Sequence, residues 1–445
     1  MSRGNRENVI MRFMRLRSLL LFGVLFLLCL LTLAAYNLPP VHDRLAWRID
    51  NLRTQIKYAL NPPQEAVFVP QGKAITPQIT YYPTATATPT QTPTMPPSAA
   101  TATPSPPPLP TLTPTPLPSA VKLSGVHYED QHGRLNYCGP SNLSMALTFW
   151  GWNGNRDVVA NAIKPNTDDK NVMPYEMVDF VKSQTGLLAI SRVGGDLELL
   201  KTLVANGFPV LIEKGTFLTD LAGIYSWMGH YQLITGYDEE KGIFYVQDTY
   251  VGPDHEMTYE AITEGWRAFN YTYLIVYPPE RETEVMTLLG QRWDEAVSAQ
   301  IAAEKASQEI YSLSGSAQFF AWFNRGSSLV LLQDYGGAAA AYDEAFAVYP
   351  SIPESERPWR MMWYQTGPYF AYFYSGRYYD VLDLATRTLN NMSKPTLEES
   401  FYWRGMAKAA LGDTAGAIED FRASLKWHPN FAPSLYQLQL LGAEP

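Results

Sequence analysis

The chain has 445 residues, 17% of them charged and 46% hydrophobic, and a formal net charge of -9. That length allows roughly two to three domains, and the acidic balance argues against nucleic acid as the main partner. Its two cysteines, Cys29 and Cys138, cannot build a disulfide framework.

Residues 18 to 35 read SLLLFGVLFLLCLLTLAA, without a charge, and the uncharged stretch continues to Val41. Such a run is at the short end for a membrane-spanning helix. Arg3, Arg6, Arg12, Arg15 and Arg17 precede it against a single Glu7, a bias that keeps the N-terminus cytoplasmic. The alternative is a cleaved signal peptide. Against it, the apolar core is longer than an h-region, and Leu33 stands where a small residue is wanted. The expectation is a cytoplasmic segment 1–17 and a transmembrane helix over 18–37. This makes a single-pass plasma-membrane protein whose bulk is extracytoplasmic and which meets the membrane through that helix.

Leu45, Ile49, Leu52, Ile56 and Leu60 follow at steps of four and three, one helical stripe. Residues 38–69 therefore read as a juxtamembrane helix and an extended segment. Over 70–118 proline and threonine dominate and too little apolar surface remains for a core, which reads as a disordered stalk.

Residues 119–279 mix helix and strand signals. CGPSNLSMALTFWGW carries Leu143, Leu147 and Trp150 on one helical face. MPYEMVDFVKSQTG opens a helix at Pro174 and closes it at Gly186, and DLELLKTLVANG offers Asp196 as N-cap and Gly207 as stop. FPVLIE, HYQLITGYD, GIFYVQDTY and YTYLIVYPP read as strands, the middle two joined by a hairpin turn over 238–242. Helices followed by consecutive strands predict an α+β domain with an antiparallel sheet.

Residues 280–445 show helix signals alone. Gly326 and Gly405, Ala338 and Ala417, Tyr342 and Phe421, Ala345 and Ser424, and Pro350 and Pro429 are each 79 positions apart. The pattern resembles the tetratricopeptide repeat, in which small residues let paired helices approach and aromatics fill the gap. A degenerate copy fits between the two. Such arrays bind protein partners on a concave surface, expected here to be rich in aromatics such as Tyr364, Tyr369, Tyr372 and Tyr374.

Cys138 stands where a polar turn meets a helix start, and unpaired N–H groups and the helix dipole stabilise a thiolate at such a position. A buried structural cysteine is the bland alternative. A thiolate enzyme also needs an imidazole and a group to orient it. His230 opens one strand of the hairpin and Asp248 lies at the end of the other, so strand pairing can bring them side by side. His255 falls in the polar stretch GPDHEMT and reads as an exposed loop residue. Asp168-Asp169 is more simply a solvated turn than a cation site. With no HExxH and no Cys/His set at zinc spacing in the sequence, no metal and no cofactor are expected.

NYCGPSNLSMAL, FPVLIE and GHYQLITGYDEEKGIFYVQDTY together resemble the C39-like branch of the papain-like cysteine peptidases. The resemblance implies Cys138 as nucleophile, His230 as base and Asp248 as the third triad member. It also implies an oxyanion-hole glutamine upstream of the cysteine. Gln131 is the candidate, with Asn136 as alternative, because Gln131 stands seven positions before Cys138, more than the family's usual spacing. The expected function is hydrolysis of peptide bonds in a peptide or protein substrate, with the repeats serving protein interaction. The alternative is a non-catalytic scaffold in which the repeats bind a partner and the peptidase-like domain is inactive.

Overall fold

The computed structural model describes residues 20, 22–32, 36, 39–74, 116–134, 136–220 and 222–445. The segment 1–17 and most of the proline-rich stretch, 75–115, lie outside them. No helix among the described residues is long and apolar enough to cross a membrane. This overturns the transmembrane helix expected over 18–37 and the single-pass plasma-membrane placement and membrane partner that rested on it. The described residues 22–32 of the apolar stretch are helical. The longer helix that follows, α1 (Pro39–Leu60), carries Asp43, Arg44, Arg48, Asp50, Arg53 and Lys57.

The chain divides into two units, residues 1–63 with 219–224, and residues 64–218 with 225–445. In the first, α1 carries the apolar stripe, whose Ile49, Leu52, Ile56 and Leu60 are exposed. Gln55 Nε2 donates to the Ala222 carbonyl at 2.6 Å.

The second unit begins its α+β part with β1 (Ala120–Lys122), α2 (Cys138–Phe149), α3 (Arg156–Ile163) and α4 (Pro174–Gln184). There follow β2 (Leu188–Arg192), α5 (Leu197–Ala205), β3 (Val210–Thr219), β4 (Tyr225–Asp238), β5 (Ile243–Asp248), β6 (Gly252–Thr258), α6 (Tyr259–Arg267) and β7 (Tyr273–Tyr277). The strands form one sheet in the order β2-β7-β3-β4-β5-β6, and β1 pairs antiparallel with the end of β4. Alternation along the central strands feeds two cores. Leu211, Leu233, Leu274 and Val276 meet Leu143, Ala146 and Leu147 of α2, whereas Val210, Ile212, Ile234 and Ile275 meet Leu199, Leu200 and Leu203 of α5. Helices on both faces explain why these strands read as continuous apolar runs. GPDHEMT is a strand rather than a loop: it is β6, with His255 opposite Val246. It closes one edge of the sheet, where glycine and proline are tolerated and the usual strand signals are weak.

Helices make up the remainder: α7 (Glu282–Leu289), α8 (Glu295–Ser312), α9 (Gly315–Leu331), α10 (Tyr335–Val348), α11 (Met361–Tyr364), α12 (Gly367–Tyr374), α13 (Tyr378–Asn390), α14 (Glu398–Ala410), α15 (Thr414–Trp427) and α16 (Ala432–Leu440). The 79-residue equivalence extends to packing. A Cβ at Gly326 would sit 2.8 Å from the Tyr342 ring, and one at Gly405 would sit 2.8 Å from the Phe421 ring. It extends to capping as well: Asp334 accepts from Gly337 N and Asp413 from Gly416 N, each at 2.9 Å. Tyr369 and Tyr372 are fully buried, so they pack between helices rather than line a binding surface. Tyr374 is exposed.

The helical part docks against the α+β part. Trp227 of β4 stacks on Phe269 and Phe320, with ring centroids at 5.9 and 5.8 Å. Asn324 Nδ2 donates to Arg267 O at 2.7 Å, and Asn270 Nδ2 donates to Ser328 Oγ at 2.9 Å. Asp168 pairs with Lys394 at 2.5 Å and Asp169 is buried, so this stretch belongs to the interface and is not a solvated turn.

Residues 64–72 lie across the repeats. Gln71 N and Gly72 N donate to the Asp380 carboxylate at 2.6 and 3.2 Å, and the Phe68 ring packs edge-on to Phe346 at 4.9 Å. Phe68→Ala should destabilise the helical part by up to about 3–5 kcal/mol, the usual range for truncating a buried phenylalanine. Thermal unfolding of the purified chain checks this, and an unchanged midpoint would mean the strap contributes nothing.

Candidate active site

Cys138 begins α2, Gly139 and Pro140 occupy the next positions, and the residue is half-buried. Asn142, one turn on and fully buried, donates from Nδ2 to Cys138 O at 2.9 Å and to Tyr231 O at 2.8 Å. This one amide fastens the start of α2 to β4 beside His230. The β4–β5 register pairs Leu233 with Gln247, which sets Asp248 across from Gln232 and one same-face step along the strand from His230. His230 Nε2 lies 3.0 Å from Asp248 Oδ1, and the ring and the Cys138 thiol are near enough to shift each other's ionisation. The structure thus brings Cys138, His230 and Asp248 together where the start of α2 meets β4.

Asp248 is held from several sides. Gln232 Nε2 donates to Oδ2 at 2.5 Å, and Tyr250 N and Val251 N donate to Oδ1 at 2.8 and 3.0 Å. Gln232 escaped the sequence reading. Its signal was the two-residue spacing from His230, which puts both side chains on one face of a strand.

The two oxyanion candidates bond elsewhere. Thr249 Oγ1 donates to Gln131 Oε1 at 2.7 Å and Gln131 N donates to Thr249 O at 2.9 Å, which fixes Gln131 to the loop after Asp248. Asn136, at a φ of 52°, donates from Nδ2 to Asp169 O at 2.5 Å.

The helical part reaches the same site. A Cβ at Gly229 would lie 2.8 Å from Phe269 Cζ and 3.1 Å from the Tyr364 ring, so the residue before His230 must be glycine for α11 to seat. Tyr364 was expected on a ligand-facing surface, and instead it packs here.

Opposing effects set the protonation states. Burial alone would push the Cys138 thiol up. The neighbouring His230 ring and its charge, with the Tyr231 and Gly139 N–H groups, outweigh it and hold the thiol below its usual value. Burial likewise disfavours the charged His230 ring, but Asp248 and Cys138 together raise it to about 9. Burial opposes the Asp248 charge too. The His230 charge, with hydrogen bonds from His230, Gln232 and Tyr250 N, holds that carboxyl well below the carboxylate range. Burial pushes the Glu213 carboxyl well above its usual range, toward its neutral form. The shifts of Cys138 and His230 both favour the charged forms, thiolate and imidazolium.

The sequence profile of the Peptidase_C39 like family matches residues 123–274, and that of the tetratricopeptide repeat matches residues 398–431. The chain carries a C39-like peptidase domain. It also carries a tetratricopeptide repeat, in α14 and α15. A solved structure described as a C39-like peptidase from Bacillus anthracis is 20% identical, with a TM-score of 0.29, over 35% of this chain and 96% of that one. No curated protein matches the chain.

The His230 contribution to stability is complete below pH 6.5 and is lost as pH rises through about 9, because folding raises that pKa. Alkylation of Cys138 by iodoacetamide, followed on its own peptide by mass spectrometry, should reach half its maximal rate below pH 9.0, the value of an isolated thiol. His230→Ala should move that midpoint upward. A midpoint at or above 9.0 in the unsubstituted chain would contradict the ion pair.

Proposed function

We propose that the protein is a cysteine peptidase that cleaves peptide bonds by acyl transfer through Cys138, His230 and Asp248. The observation that carries this reading is the His230 ring held 3.0 Å from Asp248 on β4, with the Cys138 thiol at the helix start that Asn142 ties to the same strand. The Cys138 thiolate attacks the carbonyl carbon of the scissile amide. The oxyanion forms at the start of α2, where first-turn N–H groups lack helical partners, with the Gln131 side-chain amide as the second donor. His230 gives its proton to the departing amine, then takes one from the water that releases the acyl group. Asp248 keeps the ring oriented and stabilises its charge. The tetratricopeptide repeat suggests protein interaction, and the helical array would hold a protein substrate or partner.

A second reading, a scaffold whose thiol does no chemistry, draws on the Tyr364 ring seated against Gly229 beside the partly buried thiol.

The test is cleavage of a diverse peptide library by the full chain, read by mass spectrometry. Cys138→Ala should abolish new termini. Gln131→Ala should lower kcat by about 10²–10³, the usual effect of losing one oxyanion donor, and Asn136→Ala should leave it close to the unsubstituted value. Equal cleavage by Cys138→Ala would exclude the mechanism, and no cleavage by any form would favour the scaffold.

A further inference from the structure

Away from Cys138, three potential metal-ligating side chains meet where the peptidase domain touches the last repeat. They are Glu176 in the first turn of α4, Glu398 opening α14 and His428 closing α15. One ligand atom from each lies within 4.8 Å of the others.

Glu398 is the decisive group. It is 3% exposed, and its Oε1 meets His428 Nδ1 at 2.9 Å. Its Oε2 is buried and has no hydrogen-bond partner among the described residues. A buried carboxylate oxygen without a partner is costly, and this one belongs to a side chain grouped with a second carboxylate and an imidazole. Glu176 spends only Oε2 locally, accepting from Met173 N at 2.7 Å, so its other oxygen is available. Glu176 and His428 also line a cavity of about 900 Å³ between α4 and the repeat, together with Glu399, Tyr402, Trp403 and Phe431. The cavity gives an ion a way in and leaves room for water at the remaining coordination positions.

We propose that Glu176, Glu398 and His428 bind one divalent transition-metal ion of the zinc class, which joins the peptidase domain to the last tetratricopeptide repeat. One nitrogen and two carboxylate oxygens suit such an ion rather than calcium or magnesium, which take oxygen ligands. Zinc holds these donors at about 2.0–2.2 Å, so ligand atoms around a tetrahedral ion lie about 3.3–3.6 Å apart. The most distant pair must close by about 1.3 Å, a shift that rotation of the two glutamate side chains supplies. The site is independent of the chemistry proposed for Cys138.

The test uses the full chain with Cys29→Ser and Cys138→Ser, which removes thiol ligands. After chelator treatment and dialysis, zinc titration by calorimetry should show one ion per chain, and zinc should raise the thermal midpoint saturably. His428→Ala and Glu398→Gln should each weaken binding by more than about 100-fold, beyond the usual loss from removing an outer partner. Glu176→Gln, the same size and on the cavity wall, should do likewise and serves if the Glu398 variant fails to fold by circular dichroism. Cobalt in place of zinc should give d–d absorption that is lost in His428→Ala. Failure to take up one equivalent, or uptake unchanged in both His428→Ala and Glu176→Gln, would overturn the proposal.

Discussion

The site depends on the side-chain amide of Asn142. It is fully buried and donates to the Cys138 and Tyr231 carbonyls at once, so the first residue of α2 cannot move independently of β4. Helix and strand come from different parts of the chain and meet through apolar packing, which is non-directional. Packing brings Leu143 and Leu147 onto Leu233, but cannot by itself fix a sulfur against a ring nitrogen. The amide supplies that direction. The β4–β5 register does the same for Asp248, and the N–H groups of Tyr250 and Val251 hold its carboxylate in the turn that follows.

Position then decides charge. Each of the three groups is buried enough that desolvation alone would neutralise it, and for each the partners win. The result is cooperative: a negative Asp248 supports a positive His230, which supports a negative Cys138. Burial of Glu213 pushes its carboxyl toward the neutral form, which lessens its repulsion of the thiolate. Because the helical part seats Tyr364 against Gly229, the array and the site share a boundary one residue from the imidazole. The modules are therefore coupled at the residue that matters most to the chemistry.

Much of this was legible in the sequence because local rules suffice for it. The thiol at a helix start, the hairpin that pairs the strands of His230 and Asp248, and the small and aromatic positions repeated at 79 residues are short-range patterns that the fold keeps. Other parts were not legible, each for a physical reason. β6 is a polar edge strand with Gly252 and Pro253 at its start and Thr258 as its one β-branched residue. Tyr369 and Tyr372 have composition suited to a binding surface, but the tight helix pairing buries them. The apolar N-terminal stretch was read as spanning a membrane, and no described helix is long and apolar enough to do so. Glu176, Glu398 and His428 are far apart in sequence, so no spacing rule could join them. Only the docking of two modules brings them together.

The central claim is that His230 activates Cys138 for attack. The most direct measurement is the rate at which a peptide carrying a thiol-directed electrophile labels Cys138 in the full chain, located by mass spectrometry. The account predicts labelling of Cys138 in the unsubstituted protein and a rate about 10²–10⁴ lower in His230→Ala, the usual worth of a positioned acid–base group. Equal rates in the two proteins, with both correctly folded, would contradict it.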